Sequence, residues 1–358
     1  MDTIGKILIK NGRVWDGNCF FYADVLTEDN RIAQIGEHLD IPANFVFDAT
    51  GMTVSAGLVD AHVHMTGPEP DKYGINPEMS TIPFGVTAAA DAGGAHADRT
   101  LVQRYLVKNV TFVTVPIVDN KAVFTVTEKK LCLYGDCAIG LKVYFDTTAS
   151  SVQDAQPLQQ ICAYAQQHGL KVMVHCSHSP VPMADILQLL SPGDILTHSF
   201  HGGEHTAAED GFESMKSAKK RGVVIDTGFA GHIHTNFAVL REAVEQGALP
   251  DTISTDITRA SAYKRGGRYG LTTAMSMART AGMKEEDIFR GVTATPAAAL
   301  GKAGVWGCLK EGGCADIAVL DYTNEGFDFT DREGNRFASD KGYRCMLTIA
   351  NGDVVYRH

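Results

Sequence analysis

Gly57-Leu-Val-Asp-Ala-His-Val-His64 sets two histidines two positions apart in an apolar run. Side chains alternate between the faces of a strand, so His62 and His64 point the same way and are able to share one metal ion. Similar apolar, β-rich runs recur downstream, separated by helix-like segments. After 58–65 they are predicted at 86–91, 111–118, 139–145, 170–176, 194–199, 223–227 and 252–256. Strands alternating with helical patterns argue for parallel βα units, and this many units in about 250 residues is the size of a (β/α)8 barrel. The expected fold class is α/β, a TIM-like barrel spanning 57–304.

Outside those bounds the texture changes to short strands and tight turns. Before the barrel, strands are expected at 6–10, 23–27, 31–35 and 45–48, broken by Asn11-Gly12 and Asp29-Asn30. After Gly304 they return at 316–321, 346–350 and 354–357, with turns at Gly312-Gly313 and Asn351-Gly352. Neither end holds enough strands to bury a core alone, so 1–56 and 305–358 are expected to combine into one small β-sandwich domain.

The 358 residues are 44% hydrophobic and 21% charged, the composition of an ordinary folded protein. With 32 Lys+Arg against 42 Asp+Glu, the net charge of −10 has the wrong sign for gripping nucleic acid or anionic lipid, and neither partner is expected. No apolar run approaches the length of a membrane helix and no secretory leader is evident, so a cytoplasmic location is expected. The eight cysteines form no C-x-x-C pair, which suits a reducing compartment.

The polar residues that interrupt the barrel strands carry the chemistry. His175 ends Lys171-Val-Met-Val-His, His198 ends Asp194-Ile-Leu-Thr-His, and Asp256 ends Ile253-Ser-Thr-Asp. Barrel active sites are built at the C-terminal ends of the strands, so these residues are expected to converge with His62 and His64. Lys142 lies in Ala138-Ile-Gly-Leu-Lys-Val-Tyr-Phe145, where an unpaired ammonium is costly to bury. Added carbon dioxide would make it a carbamate whose oxygens bridge two metals, and the ligand types suit zinc. Neither G-x-G-x-x-G, G-x-x-x-x-G-K-[ST] nor G-x-S-x-G occurs, which disfavours dinucleotide, phosphate-loop and serine-hydrolase chemistry.

These motifs, with Thr-His198-Ser-Phe-His201-Gly, Thr293-Ala-Thr-Pro-Ala-Ala-Ala and Gly313-Cys-Ala-Asp316-Ile-Ala-Val-Leu, resemble the amidohydrolase superfamily over nearly the whole chain. The likeness is strongest to its dihydroorotase-like amidohydrolase/deacetylase branch. It implies two divalent ions, with His62, His64 and Asp256 on the more buried one, His175 and His198 on the more exposed one, and a carboxylated Lys142 bridging. It also implies that Asp256 shuttles a proton from a metal-bridged hydroxide to the leaving group. The implied activity is hydrolysis of an ester or amide in a small, carboxylate-bearing compound by a homo-oligomer.

His201, Tyr144 and Arg259 are candidate substrate contacts. His178, His232 and His234 read more simply as exposed loop histidines. Two departures bear on substrate preference: Lys142-Val143-Tyr144 stands where relatives commonly have Lys-Val-Arg, and Gly228-Phe229-Ala230 where they have Gly-His-Gly. The alternatives are a cyclic-amide hydrolase of the dihydroorotase type, an aminopurine deaminase, or a non-catalytic dihydropyrimidinase-like scaffold. The scaffold proteins lack the metal-ligand set present here.

Overall fold

In the computed structural model, which describes residues 5–65, 74–93, 105–230, 233–263 and 269–358, the first strand is longer than its sequence suggests. β1 (Lys6–Trp15) runs straight through Asn11-Gly12, which is a bulge and not a turn. Asn11 takes φ 61° and its N–H donates to Asp24 Oδ1 at 2.7 Å. A Cβ on Gly12 would stand 2.3 Å from Val54 Cγ2, so the absent side chain is what admits the neighbouring strand. β2 (Phe20–Glu28) and β3 (Arg31–Gly36) follow as antiparallel partners. β4 (Phe45–Asp48) and β5 (Thr53–Ala56) then pair in parallel with successive parts of β1.

The barrel strands come next: β6 (Leu58–Val63), β7 (Val86–Asp91) and β8 (Lys108–Thr114). Pro116 lacks an N–H and interrupts the predicted third strand. The chain resumes as the hairpin β9 (Ile117–Val118) and β10 (Lys121–Ala122), turning through Asp119 and Asn120 at positive φ. β11 (Ala138–Tyr144), β12 (Lys171–His175), β13 (Ile195–Thr197) and β14 (Val224–Ile225) complete a seven-stranded sheet in the order β14-β13-β12-β11-β8-β7-β6, with every pairing parallel.

The predicted eighth strand is not regular. It joins its neighbours through parallel bridges Asp226↔Thr252 and Val63↔Ile257, and Asp256 N–H donates to His62 O at 2.7 Å. Its hydroxyls bond to the buried carboxylates of Asp60 and Asp226, and Asp256 takes φ 47°, outside the extended region. This irregular segment contacts both edges of the sheet and closes the barrel.

After the barrel, β15 (Ile317–Thr323), the hairpin β16 (Phe327–Thr330) and β17 (Arg336–Ser339), β18 (Gly342–Ala350) and β19 (Asp353–Arg357) follow. Strands from both chain ends share one sheet in the order β19-β18-β15-β5-β1-β2-β3, with β4 also on β1. Ile7, Val25, Val54, Ile317 and Leu347 pack in its common core.

Alternation along the barrel strands positions the site. Val172 and Val174 of β12 pack with Leu158 and Ile161 of the helix Gln156–His168, whereas Met173 packs inside the barrel with Phe112 and Ile195. His175 continues the inward parity of Met173. On β11, Leu141 and Val143 join the outer core, and Lys142 takes the opposite face. Among the described residues no helix is long and apolar enough to cross a membrane.

Candidate metal centre

The strand ends gather His62, His64, Lys142, His175, His198 and Asp256 into one buried cluster. His62 Nε2 lies 3.2 Å from Asp256 Oδ1 and His64 Nε2 lies 2.9 Å from the same oxygen. Lys142 Nζ is 3.2 Å from His62 Nε2. His198 Nε2 approaches Asp256 Oδ2 at 3.9 Å, and the His175 and His198 rings are 4.4 Å apart.

Backbone geometry supports this convergence at a cost. His198 and Asp256 both hold positive φ, 63° and 47°, a conformation that non-glycine residues adopt rarely and that concentrates at functional sites. A Cβ on Gly228 would fall 2.6 Å from His198 Nδ1, and one on Gly93 would fall 2.9 Å from Lys142 Cβ. Gly93 therefore does more than turn the chain after β7: it lets the backbone pass directly beside the lysine.

Hydrogen bonds fix which nitrogen each imidazole presents. Thr197 Oγ1 has one proton and donates it to Asp226 Oδ2 at 2.7 Å. The same oxygen, 2.9 Å from His62 Nδ1, must then accept, so His62 carries its proton on Nδ1 and turns a bare Nε2 toward Lys142 and Asp256. His198 donates from Nδ1 to Gly228 O at 2.7 Å, leaving its Nε2 bare. His175 donates from Nε2 to Asp146 Oδ2 at 3.0 Å, leaving Nδ1. Orientation of each donor by an outer partner is the usual arrangement around a bound metal.

Charge states agree with that role at three of the imidazoles; at His62, burial and the Lys142 ammonium favour the neutral ring, but the carboxylates of Asp256 and Asp226 outweigh them and raise its pKa in the metal-free site. Burial pushes His175 down to about 4 and His234 down to about 3, and burial with the His234 and His175 rings holds His198 well below its ordinary value. These imidazoles are neutral at pH 7, the form that ligates. Burial opposes ionisation of Asp256, but the imidazoles of His62 and His64 outweigh it and hold the carboxyl well below the carboxylate range. Burial also pushes Lys142 down to about 8.

Asp256 Oδ1 is buried yet receives no aligned hydrogen bond, an orphan that a cation among these donors would satisfy. Among the described residues, two sets of side chains have the spacing to hold an ion: His62, His198 and Asp256, and His175, His198 and His234. Imidazole and carboxylate donors fit a divalent metal.

Residues 53–355 match the profile of the Amidohydrolase family. The chain belongs to the amidohydrolase family. A deacetylase of Enterococcus faecalis is 27% identical over 97% of this chain and 98% of its own length. A crystal structure of a dihydroorotase superposes with a TM-score of 0.86, at 24% identity, covering 98% of this chain and 99% of that one. A crystal structure of an adenine deaminase gives 0.85 at 25% identity, over 99% and 100% of the two chains. The resemblance read from the motifs and the α/β barrel are both borne out, and this amidohydrolase is a hydrolase of a family that generally binds divalent metals.

The remaining candidates divide. The Tyr144 ring centroid is 5.7 Å from that of His175, at the mouth of the cluster. His201 is buried, donates from Nδ1 to Gly202 O at 2.9 Å and has no partner at Nε2. Arg259 is exposed at the start of the helix Arg259–Tyr263, and no contact between it and the cluster is found among the described residues. His232, Arg265 and Arg268 lie outside the described residues. His178 is exposed as expected, 3.4 Å from Asp146, but His234, although on its loop, is half-buried against the cluster: its ring lies 4.3 Å from His198 and 4.9 Å from His175.

Sequence reasoning also passed over Asp226, Asp146, Thr197 and Ser177. A lone carboxylate in Val223-Val-Ile-Asp226, and another directly after β11, were the available signals, since a buried acid needs partners.

Proposed function

We propose that this amidohydrolase is a binuclear, zinc-dependent hydrolase of the deacetylase type, cleaving an ester or amide bond in a small carboxylate-bearing compound. The observation that carries the reading is the presence of two adjacent donor sets with Lys142 fully buried beside them and without a carboxylate ion pair among the described residues. Burial pushes the Lys142 amine down to about 8, so about a tenth of it is neutral near pH 7, far more than for a free lysine, and the neutral amine is the form that adds carbon dioxide. Carbamate formation releases one proton from the neutral amine, two when counted from the ammonium, and would leave in place of the buried cation an anion with two oxygens available to divalent ions. Imidazole and carboxylate donors suit zinc.

Divalent ions held by these donors supply Lewis-acid polarisation of a carbonyl and a water whose pKa is lowered toward about 7. The chain itself supplies the proton path. Asp256, ionised and held by its backbone bond to His62 O, accepts the proton of the attacking water and returns it to the departing oxygen or nitrogen. Tyr144, beside the His175 ring, and His201, with its unpartnered Nε2, would face the acyl compound, and the exposed Arg259 would have to reach inward from its helix to meet its carboxylate. The deacetylase relative, aligned over nearly the full length of both chains, favours acyl transfer to water over deamination.

The test is a product assay on zinc-loaded protein with panels of N-acetyl and O-acetyl carboxylic acids, aminopurines and cyclic amides. Release of acetate or a related acid from the first panel is expected. Ammonia from an aminopurine, or ring opening of a cyclic amide without acid release from the acyl compounds, would overturn the proposal.

A further inference from the structure

We propose that His234 is a metal donor, completing a three-imidazole set with His175 and His198 around the outer ion of the pair. The inference rests on the reading above that the centre holds two ions, and goes beyond it by adding a ligand from the loop after β14. One nitrogen of each of these histidines lies within 4.8 Å of one from each of the others. The three rings pack pairwise, with centroids 4.3, 4.4 and 4.9 Å apart. No acid forms an ion pair with His234 among the described residues, and His178, at the same mouth, contrasts with it by sitting against Asp146. Neutral imidazoles that turn lone pairs toward one another repel unless a cation lies between them.

The other set also names His198, and its one free nitrogen cannot serve two ions. Its Nδ1 is committed to Gly228 O. The inner ion has three donors without it, His62, His64 and Asp256, with His62 Nε2 at 3.2 Å and His64 Nε2 at 2.9 Å from Asp256 Oδ1. His198 therefore belongs with His175 and His234.

The His234 loop is built to hold its ring still. Asn236 Oδ1 caps the helix Phe237–Glu245 by accepting from Ala238 N–H and Val239 N–H, and Asn236 N–H donates to Phe200 O at 2.8 Å. Phe237 N–H donates to Asp331 Oδ2 at 3.0 Å. Ser177 Oγ, 3.0 Å from His234 Nδ1, is placed to accept the Nδ1 proton and leave Nε2 as the donor.

Zinc uptake by metal-free protein, followed by equilibrium dialysis and elemental analysis, tests the assignment. Wild type is expected to bind two ions. His234→Gln should retain the inner ion with unchanged affinity and weaken the outer one at least about tenfold. His234→Asp, which restores a ligating atom, should recover most of the second uptake, a result that a purely structural role would not give. His178→Gln should leave both affinities unchanged. If His234→Gln binds two ions as tightly as wild type, His234 is not a donor although the two-ion centre stands. A wild type that takes up only one ion overturns both readings.

Discussion

Asp256→Asn at saturating zinc is expected to lower kcat by about 10²–10⁴-fold, the usual contribution of a positioned general base, while the protein stays folded. The substitution keeps the shape and one oxygen donor but removes the ability to accept a proton. Asp256 is the carboxylate that both His62 and His64 approach, and its φ of 47° and its backbone bond to His62 O fix its place independently of side-chain charge. Steady-state kinetics with parallel metal analysis separate the two roles proposed for it. A fall in kcat with the metals still bound supports proton transfer, whereas near wild-type turnover of the metal-loaded variant would sink it.

Asp226→Ala should produce the largest loss of stability and a second, separable loss in metal binding. Its buried carboxylate accepts from Thr252 Oγ1 at 2.6 Å, Thr197 Oγ1 at 2.7 Å and Ser254 Oγ at 2.7 Å, tying β13 to the irregular segment that closes the barrel. Alanine leaves those hydroxyls buried without their acceptor, at a cost of about 3 kcal/mol or more. The same change frees Thr197 to donate to His62 Nδ1, which would move the imidazole proton to Nε2, where the metal should bind. Zinc affinity at the inner site should fall about 10–100-fold. Urea unfolding of metal-free protein reads the first effect and zinc titration the second. An unchanged urea midpoint would refute the structural part, and unchanged zinc affinity the tautomer relay.

The barrel was readable from the sequence because parallel strands buried on both faces appear as apolar runs, and a polar residue within or at the end of such a run stands out. Lys142, His175 and His198 were visible on those grounds alone. Regular alternation then predicted their common face, as Met173 and His175 against Val172 and Val174 illustrate.

What escaped depends on contacts between distant segments. Asn11-Gly12 has the composition of a hairpin turn, and only the approach of Val54 explains why the strand continues through it. The segment 252–257 pairs through hydroxyls and carboxylates as well as backbone, so its strand character is weaker than its position suggests. His234 lies on a loop, where no periodicity tells which way a ring faces; the helix cap at Asn236 and the contact with Asp331 decide that.

The most direct test of the central claim is the metal content per chain of wild type and Lys142→Ala, both purified with added zinc and bicarbonate and measured by elemental analysis. The account predicts about two divalent ions in the wild type, falling to one or none in the variant. About one ion in both proteins would contradict it, because Lys142 would then bridge nothing.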